Sequence, residues 1–154
     1  MEEFDIIGPG DQPALLAVST PEVIGMVQSA LNELGYKVHV VESYEQFDLR
    51  YNQVNYQIVV IEETFDGADS LQNPALRMVQ HLPMSLRRHA VIFLVGPSVE
   101  TLNTMQAFAQ SVHCVINYSE LQILPELVQK TVAENEMFLT TYRDIQRRVY
   151  QKPA

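Results

Sequence analysis

Five short apolar runs constrain the fold of this chain more than any other feature. They are "ALLAVS" (14–19), "KVHVVES" (37–43), "QIVVIEE" (57–63), "AVIFLVG" (90–96) and "VHCVINY" (112–118). Each is short and rich in Val and Ile, the composition of strands buried on both faces. Segments with helical spacing lie between them. Val23, Met26, Val27, Ala30, Leu31 and Leu34 form one stripe that stops at Gly35, a helix C-cap position. Strands alternating with helices predict a parallel sheet covered on both sides. The strand-to-helix junctions agree: "STPE", "SYEQ", "SELQ", "NP" at Asn73-Pro74 and "PSVE" around Ser98 all carry helix-capping residues. A second helix is predicted from about Tyr44 to Asn52.

The third run ends in two carboxylates, Glu62 and Glu63, where a buried strand meets solvent. The polar, turn-prone stretch "ETFDGADSLQN" (63–73) follows. It falls on the edge of the sheet that carries strand C-termini, where open α/β sheets place ligands. The carboxylates therefore have the address of a site.

With 154 residues, 47% of them hydrophobic, the chain suffices for one domain with a real core. No apolar run approaches the 18 residues of a membrane span. The opening "MEEFDIIGPGDQP" (1–13) reads as an acidic leader and not as a signal peptide, which points to the cytoplasm. Cys114, the single cysteine, sits in the apolar run "VHCVI" and reads as a buried structural thiol. Charge is uneven, with 13 acidic and 2 basic residues up to Asp69, then 6 acidic and 8 basic. The net charge of −9 repels phosphate backbones, so nucleic acid is not an expected partner. Arg143, Arg147, Arg148 and Lys152 suit the negative pole of a helix end.

The last segment runs from Ser119 to about Tyr150. Leu121, Leu124, Val128, Thr131, Asn135, Phe138, Tyr142, Ile145 and Val149 follow steps of three and four. The first half must cover the sheet. The second half extends past what a five-stranded sheet needs, and either pairs with another helix or folds back on its own domain. Phe138, Tyr142, Ile145 and Val149 are the candidate dimer residues, which divides the chain into a leader (1–13), a domain (14–132) and a helical extension (133–154).

From about Ala14 to Val132 the chain resembles the receiver domain of two-component response regulators. The strand rhythm, the capped helices and the phrase "NPALRMVQHLPMSLRRHAVIFLVG" carry the resemblance. It implies a flavodoxin-like doubly wound sheet of order 2-1-3-4-5 and a place in signalling. In such receivers an Asp at the end of the third strand takes a phosphoryl group. Mg²⁺, held by that Asp and an acidic pair after the first strand, neutralises the phosphoryl oxygens. A Thr or Ser after the fourth strand and a Lys after the fifth then bind the new phosphate.

Set on this sequence, the phosphoacceptor position falls on Glu62 and the acidic pair on Ser19 and Thr20. The Thr/Ser switch falls on Val95, the Lys on Asn117 and the Pro that usually follows it on Tyr118. Every chemical position has changed while the scaffold pattern remains. A Glu in place of Asp shifts the carboxylate by over ~1 Å, enough to spoil an in-line geometry. Mg²⁺ has too few hard ligands here. The expected protein is a pseudo-receiver and not an enzyme: a phosphorylation-independent adaptor that docks a signalling protein. It uses no cofactor and no metal. Its partner face is expected on the helix after the fourth strand, at Thr101, Met105 and Phe108, together with Tyr118. Glu62 would imitate the phosphorylated form or be a tolerated strand-end residue. The alternative is a divergent but working receiver that takes a phosphoryl group on Glu62, Glu63 or Asp66.

Other chemistries find little support. His39, His81, His89 and His113 show no ligand spacing. "GPGDQP" precedes a strand and so is no phosphate loop, and no G-x-S-x-G elbow is present. A flavin phosphate would meet Glu22 in the short "STPEV" turn.

Overall fold

The structure is a computed structural model, and it describes residues 6–68, 72–87 and 89–151. The first five residues of the acidic leader, Asp69 to Leu71 of the polar loop, Arg88, and Lys152 with the two residues after it lie outside the described residues.

Five strands form one sheet: β1 (Pro13–Ala17), β2 (Lys37–Val41), β3 (Ile58–Glu62), β4 (Val91–Gly96) and β5 (Cys114–Asn117). Their order is β2-β1-β3-β4-β5 and every pairing is parallel. This is the flavodoxin-like sheet expected from the sequence. The helices are α1 (Pro21–Glu33), α2 (Tyr44–Gln53), α3 (Pro74–His81), the one-turn α4 (Met84–Arg87), α5 (Thr104–Gln110) and α6 (Leu124–Gln151).

Because parallel strands alternate their side chains between two covered faces, the core divides in two. On one face Leu15, Val59, Ile61, Ile92, Leu94 and Val115 meet Phe47 and Tyr51 of α2, Leu76 and Val79 of α3, and Ala107 of α5. On the other, Leu16, Val60, Phe93 and Ile116 meet Val23, Val27 and Leu31 of α1 and Leu124, Leu127 and Val128 of α6. Cys114 is buried on the second face, and burial pushes its thiol pKa up.

Capping follows the sequence in part. Gly35, at φ 91°, closes α1 while the Tyr36 N–H reaches back to the Leu31 carbonyl and the Gly35 N–H to that of Asn32. That pairing ends a helix with its last carbonyls satisfied. Ser43 accepts the Gln46 N–H at the start of α2, and Asn73 accepts the Leu76 N–H at the start of α3.

Three junctions differ from expectation. Thr20 occupies the N-cap of α1 without capping it, because its hydroxyl is used elsewhere. The helix after β4 begins at Thr104 under an Asn103 cap and not near Ser98, whose N–H is bound by Glu63. The last helix is not capped by Ser119: Asn117 accepts the Ser119 N–H and opens a 3-10 turn, Tyr118–Ile123, ahead of α6.

α6 is one uninterrupted helix of 28 residues, about 42 Å long. It does not fold back on the domain. Leu124, Leu127, Val128, Thr131 and Leu139 are buried, whereas Phe138, Tyr142, Ile145 and Val149 are exposed. Residues 132 and 133, where the sequence divides domain from extension, lie within this helix.

A candidate site closed by its own residues

Glu62 ends β3, and its side chain has no exposure to solvent. Oε1 accepts the backbone N–H of Ser19 at 2.8 Å and that of Thr20 at 3.1 Å. Oε2 accepts the Thr20 hydroxyl at 2.6 Å and the Tyr118 hydroxyl. Parallel pairing of β1 with β3 brings Ser19 and Thr20 here, since both strands end at the same edge. Tyr118 arrives from the turn after β5. Burial alone would raise the Glu62 pKa, but the hydrogen bonds from Thr20, Tyr118 and the two amides outweigh it and hold the carboxyl below its ordinary value. The Tyr118 phenol is pushed up by burial and by the carboxylate that accepts its proton.

Glu63 turns to the neighbouring strand. Its N–H donates to the Val95 carbonyl at 2.8 Å, and its Oε1 accepts the Ser98 N–H at 2.9 Å. The side chain crosses Gly96, where a β-carbon would collide with Glu63 Oε1, Cδ and Cγ. Asn73, 2% exposed, holds the backbone behind both carboxylates: its Nδ2 donates to the carbonyls of Glu62 at 2.7 Å and Glu63 at 3.1 Å. Asp66, at φ 56°, accepts the Tyr44 N–H at the start of α2 while its own N–H donates to the Ser19 hydroxyl.

The structure thus gathers Ser19, Thr20, Glu62 and Tyr118 into one cluster. Val95 pairs with Glu62 in the sheet register and is buried among apolar residues. Asn117 is occupied elsewhere: Nδ2 donates to the Val99 carbonyl at 2.8 Å and to that of Pro97 at 3.2 Å, Oδ1 accepts from Ser119, and its N–H donates to the Thr101 hydroxyl. Of the four partner-face residues, Met105 and Phe108 are 75% and 82% exposed. Thr101 and Tyr118 are half-buried and engaged in the contacts just described.

Three roles were not foreseen from sequence. Tyr118 is a donor to Glu62, Asn73 clamps the carbonyls behind both carboxylates, and Gly96 makes room for Glu63. Asn73-Pro74 was legible as a cap, which is half of its role. A tyrosine next to Asn117 and a glycine ending an apolar run carry no signal for the other two.

Mg²⁺ does not fit this cluster. It requires near-octahedral oxygen ligands. Here the central carboxylate of Glu62 has both oxygens facing N–H and O–H donors, and among the described residues no second carboxylate joins it. Among the described residues, no group of three His, Cys, Asp or Glu side chains could hold a metal.

No protein-family model and no curated protein matches the chain. Solved structures do. An orphan response regulator of H. pylori is 19% identical, with a TM-score of 0.60 over 81% of this chain and 99% of that one. A CheY-like response regulator receiver domain from Methylobacillus flagellatus is 15% identical, with a TM-score of 0.60 over 79% and 99%. A yeast Spc42 trimeric coiled coil fused to another protein is 14% identical, with a TM-score of 0.61 over 94% and 95%. The chain has the CheY-like flavodoxin fold of receiver domains, extended by a long C-terminal helix. At these identities the likeness is one of fold.

Proposed function

We propose that this protein is a non-catalytic, receiver-like signalling module that docks a protein partner without phosphorylation. One observation carries the reading: the carboxylate at the phosphoacceptor position is already saturated by four donors of its own chain. In a working receiver that space receives a metal and a phosphoryl group. Here the acidic pair is replaced by Ser19 and Thr20, which donate to Glu62 and supply no charge. Glu62 carries its negative charge at neutral pH without a phosphoryl group, and the β1, β3 and β5 ends that a receiver rearranges are tied to it. The module therefore rests in one state.

The partner side is the exposed end of α5, where Met105 and Phe108 stand out of the domain with Leu102 beside them. A second copy pairs through Phe138, Tyr142, Ile145 and Val149 of α6. The domain proper spans 14–132 and its setting is cytoplasmic.

The test is an amide NMR spectrum with and without Mg²⁺ and beryllofluoride, a stable phosphoryl mimic. Silence at Ser19, Glu62 and Asn117 is expected. Saturable shifts spreading from Glu62 into α5 and α6 would restore the alternative, a divergent phosphoacceptor receiver.

A further inference from the structure

α6 and the groove beside it form one continuous apolar surface on this side of the domain. Within the body Leu124, Leu127, Val128 and Thr131 face the sheet. Stepping along the helix at about 100° per residue, Phe138, Tyr142, Ile145 and Val149 fall in the same third of the circumference. The exposed stripe is therefore the core-facing stripe continued past the end of the body. Where it emerges, Phe138 and Leu139 form one wall of a groove of about 460 Å³, and Met84, Arg87, Phe108 and Val112 form the other.

We infer that two copies of this chain pair through antiparallel α6 tails, with the tip of each tail seated against the groove of the other. The inference rests on the pairing half of the proposed function and adds its direction and its second contact.

Sterics disfavour a straight parallel pair. A partner helix packs 8–10 Å away on the stripe side. Along the first half of α6 that space is filled by the chain's own sheet, so a parallel, in-register partner would run into it. An antiparallel partner overlaps only the free half, from about Phe138 to Tyr150, and its body lies beyond the end of the first helix.

Charge gives the same direction. Between Glu126 and Glu136 the helix carries three glutamates and one lysine, and between Arg143 and Arg148 three arginines and one aspartate. A parallel pair sets the arginines of one copy beside those of the other. In the antiparallel pair Arg143 falls opposite the partner's Asp144, and Arg147 and Arg148 come within about a turn of the partner's Glu136. With Phe138 opposite the partner's Val149, the partner's Tyr150 comes to the mouth of the groove between Met84 and Phe108. About four turns of overlap plus the groove bury on the order of 1,000 Å², the lower bound for a specific interface. The pair should form reversibly.

Two measurements test this on the full chain. Sedimentation over a range of concentrations should show a monomer–dimer equilibrium, weakened roughly tenfold or more by Arg147→Glu with Arg148→Glu. Then Phe138→Cys and Val149→Cys proteins, both changed at exposed positions that leave folding intact, are mixed under mild oxidation. Cys114 is buried and stays out of the reaction. Mixed disulfides between the two variants support the antiparallel pair. Symmetric disulfides within each variant, or a monomer at every concentration, overturn it. A monomer that stays silent to beryllofluoride would remove the pair and leave the docking module; a dimer that responds would do the reverse.

Discussion

Glu63 lies across Gly96, and the absence of a side chain at Gly96 is what lets the Glu63 carboxylate reach the Ser98 N–H. The two residues sit at the ends of adjacent strands, β3 and β4. Together they fix where the loop from Pro97 to Asn103 leaves the sheet. Glu62 does the equivalent for the loops after β1 and β5, so consecutive carboxylates hold three of the five loops at this edge.

Gly96→Ala should therefore destabilise the protein by about 1–3 kcal/mol through displacement of Glu63. Glu63→Ala removes the obstruction, so the double variant should be no less stable than Glu63→Ala alone. Urea unfolding of the three proteins decides it. Simple additivity would show that the clash is relieved in some other way.

Tyr118→Phe removes one of four donors to a buried carboxylate, together with the contacts its hydroxyl makes with Thr64 and Thr20. A loss of about 1–3 kcal/mol is expected, with the Ser19 and Thr20 amides shifting in an NMR spectrum. An unchanged spectrum would mean that the phenol does not reach Glu62 in solution.

The pH dependence follows from the lowered pKa of Glu62. A carboxyl whose pKa is lower in the folded than in the unfolded chain contributes stability that is complete above the unfolded value, about 4.3, and is lost as pH falls through the folded value. Acid unfolding should therefore steepen below about pH 4, and Glu62→Gln should flatten that limb. Equal slopes for the two proteins would assign the acid sensitivity to other carboxyls.

Asn73→Asp keeps the oxygen that accepts the Leu76 N–H but turns a second oxygen toward the carbonyls of Glu62 and Glu63. A cost of about 2–4 kcal/mol is expected from thermal or urea unfolding. Wild-type stability in this variant would show that Asn73 acts only as a helix cap.

The sheet was legible because each strand is an uninterrupted apolar run and parallel strands are buried on both faces. The order of strands came from the family resemblance and is borne out. The start of α5 was not legible: Ser98 is a good cap by residue type, but its N–H is bound by a side chain 35 positions earlier, which local sequence cannot show. Thr20 is a similar case. Its hydroxyl had a local use as a cap and a distant one at Glu62, and the buried charge won, since an unmet carboxylate costs more than an uncapped helix. At the site, the placement of Ser19, Thr20 and Glu62 together follows from β1 and β3 being neighbours. Tyr118 was read as an outward residue because nothing in its neighbourhood marks it as a donor.

The unbroken run of α6 from Leu124 to Gln151 makes the tail a lever arm rooted in the sheet. Its inner turns are clamped between β4, β5 and α1, so they cannot swivel without disturbing the core. Whatever grips the outer turns therefore sets the bearing of the whole body. On the reading proposed above, a module of one fixed shape would act as a bracket, holding a docked partner at a fixed distance and angle from whatever its tail engages.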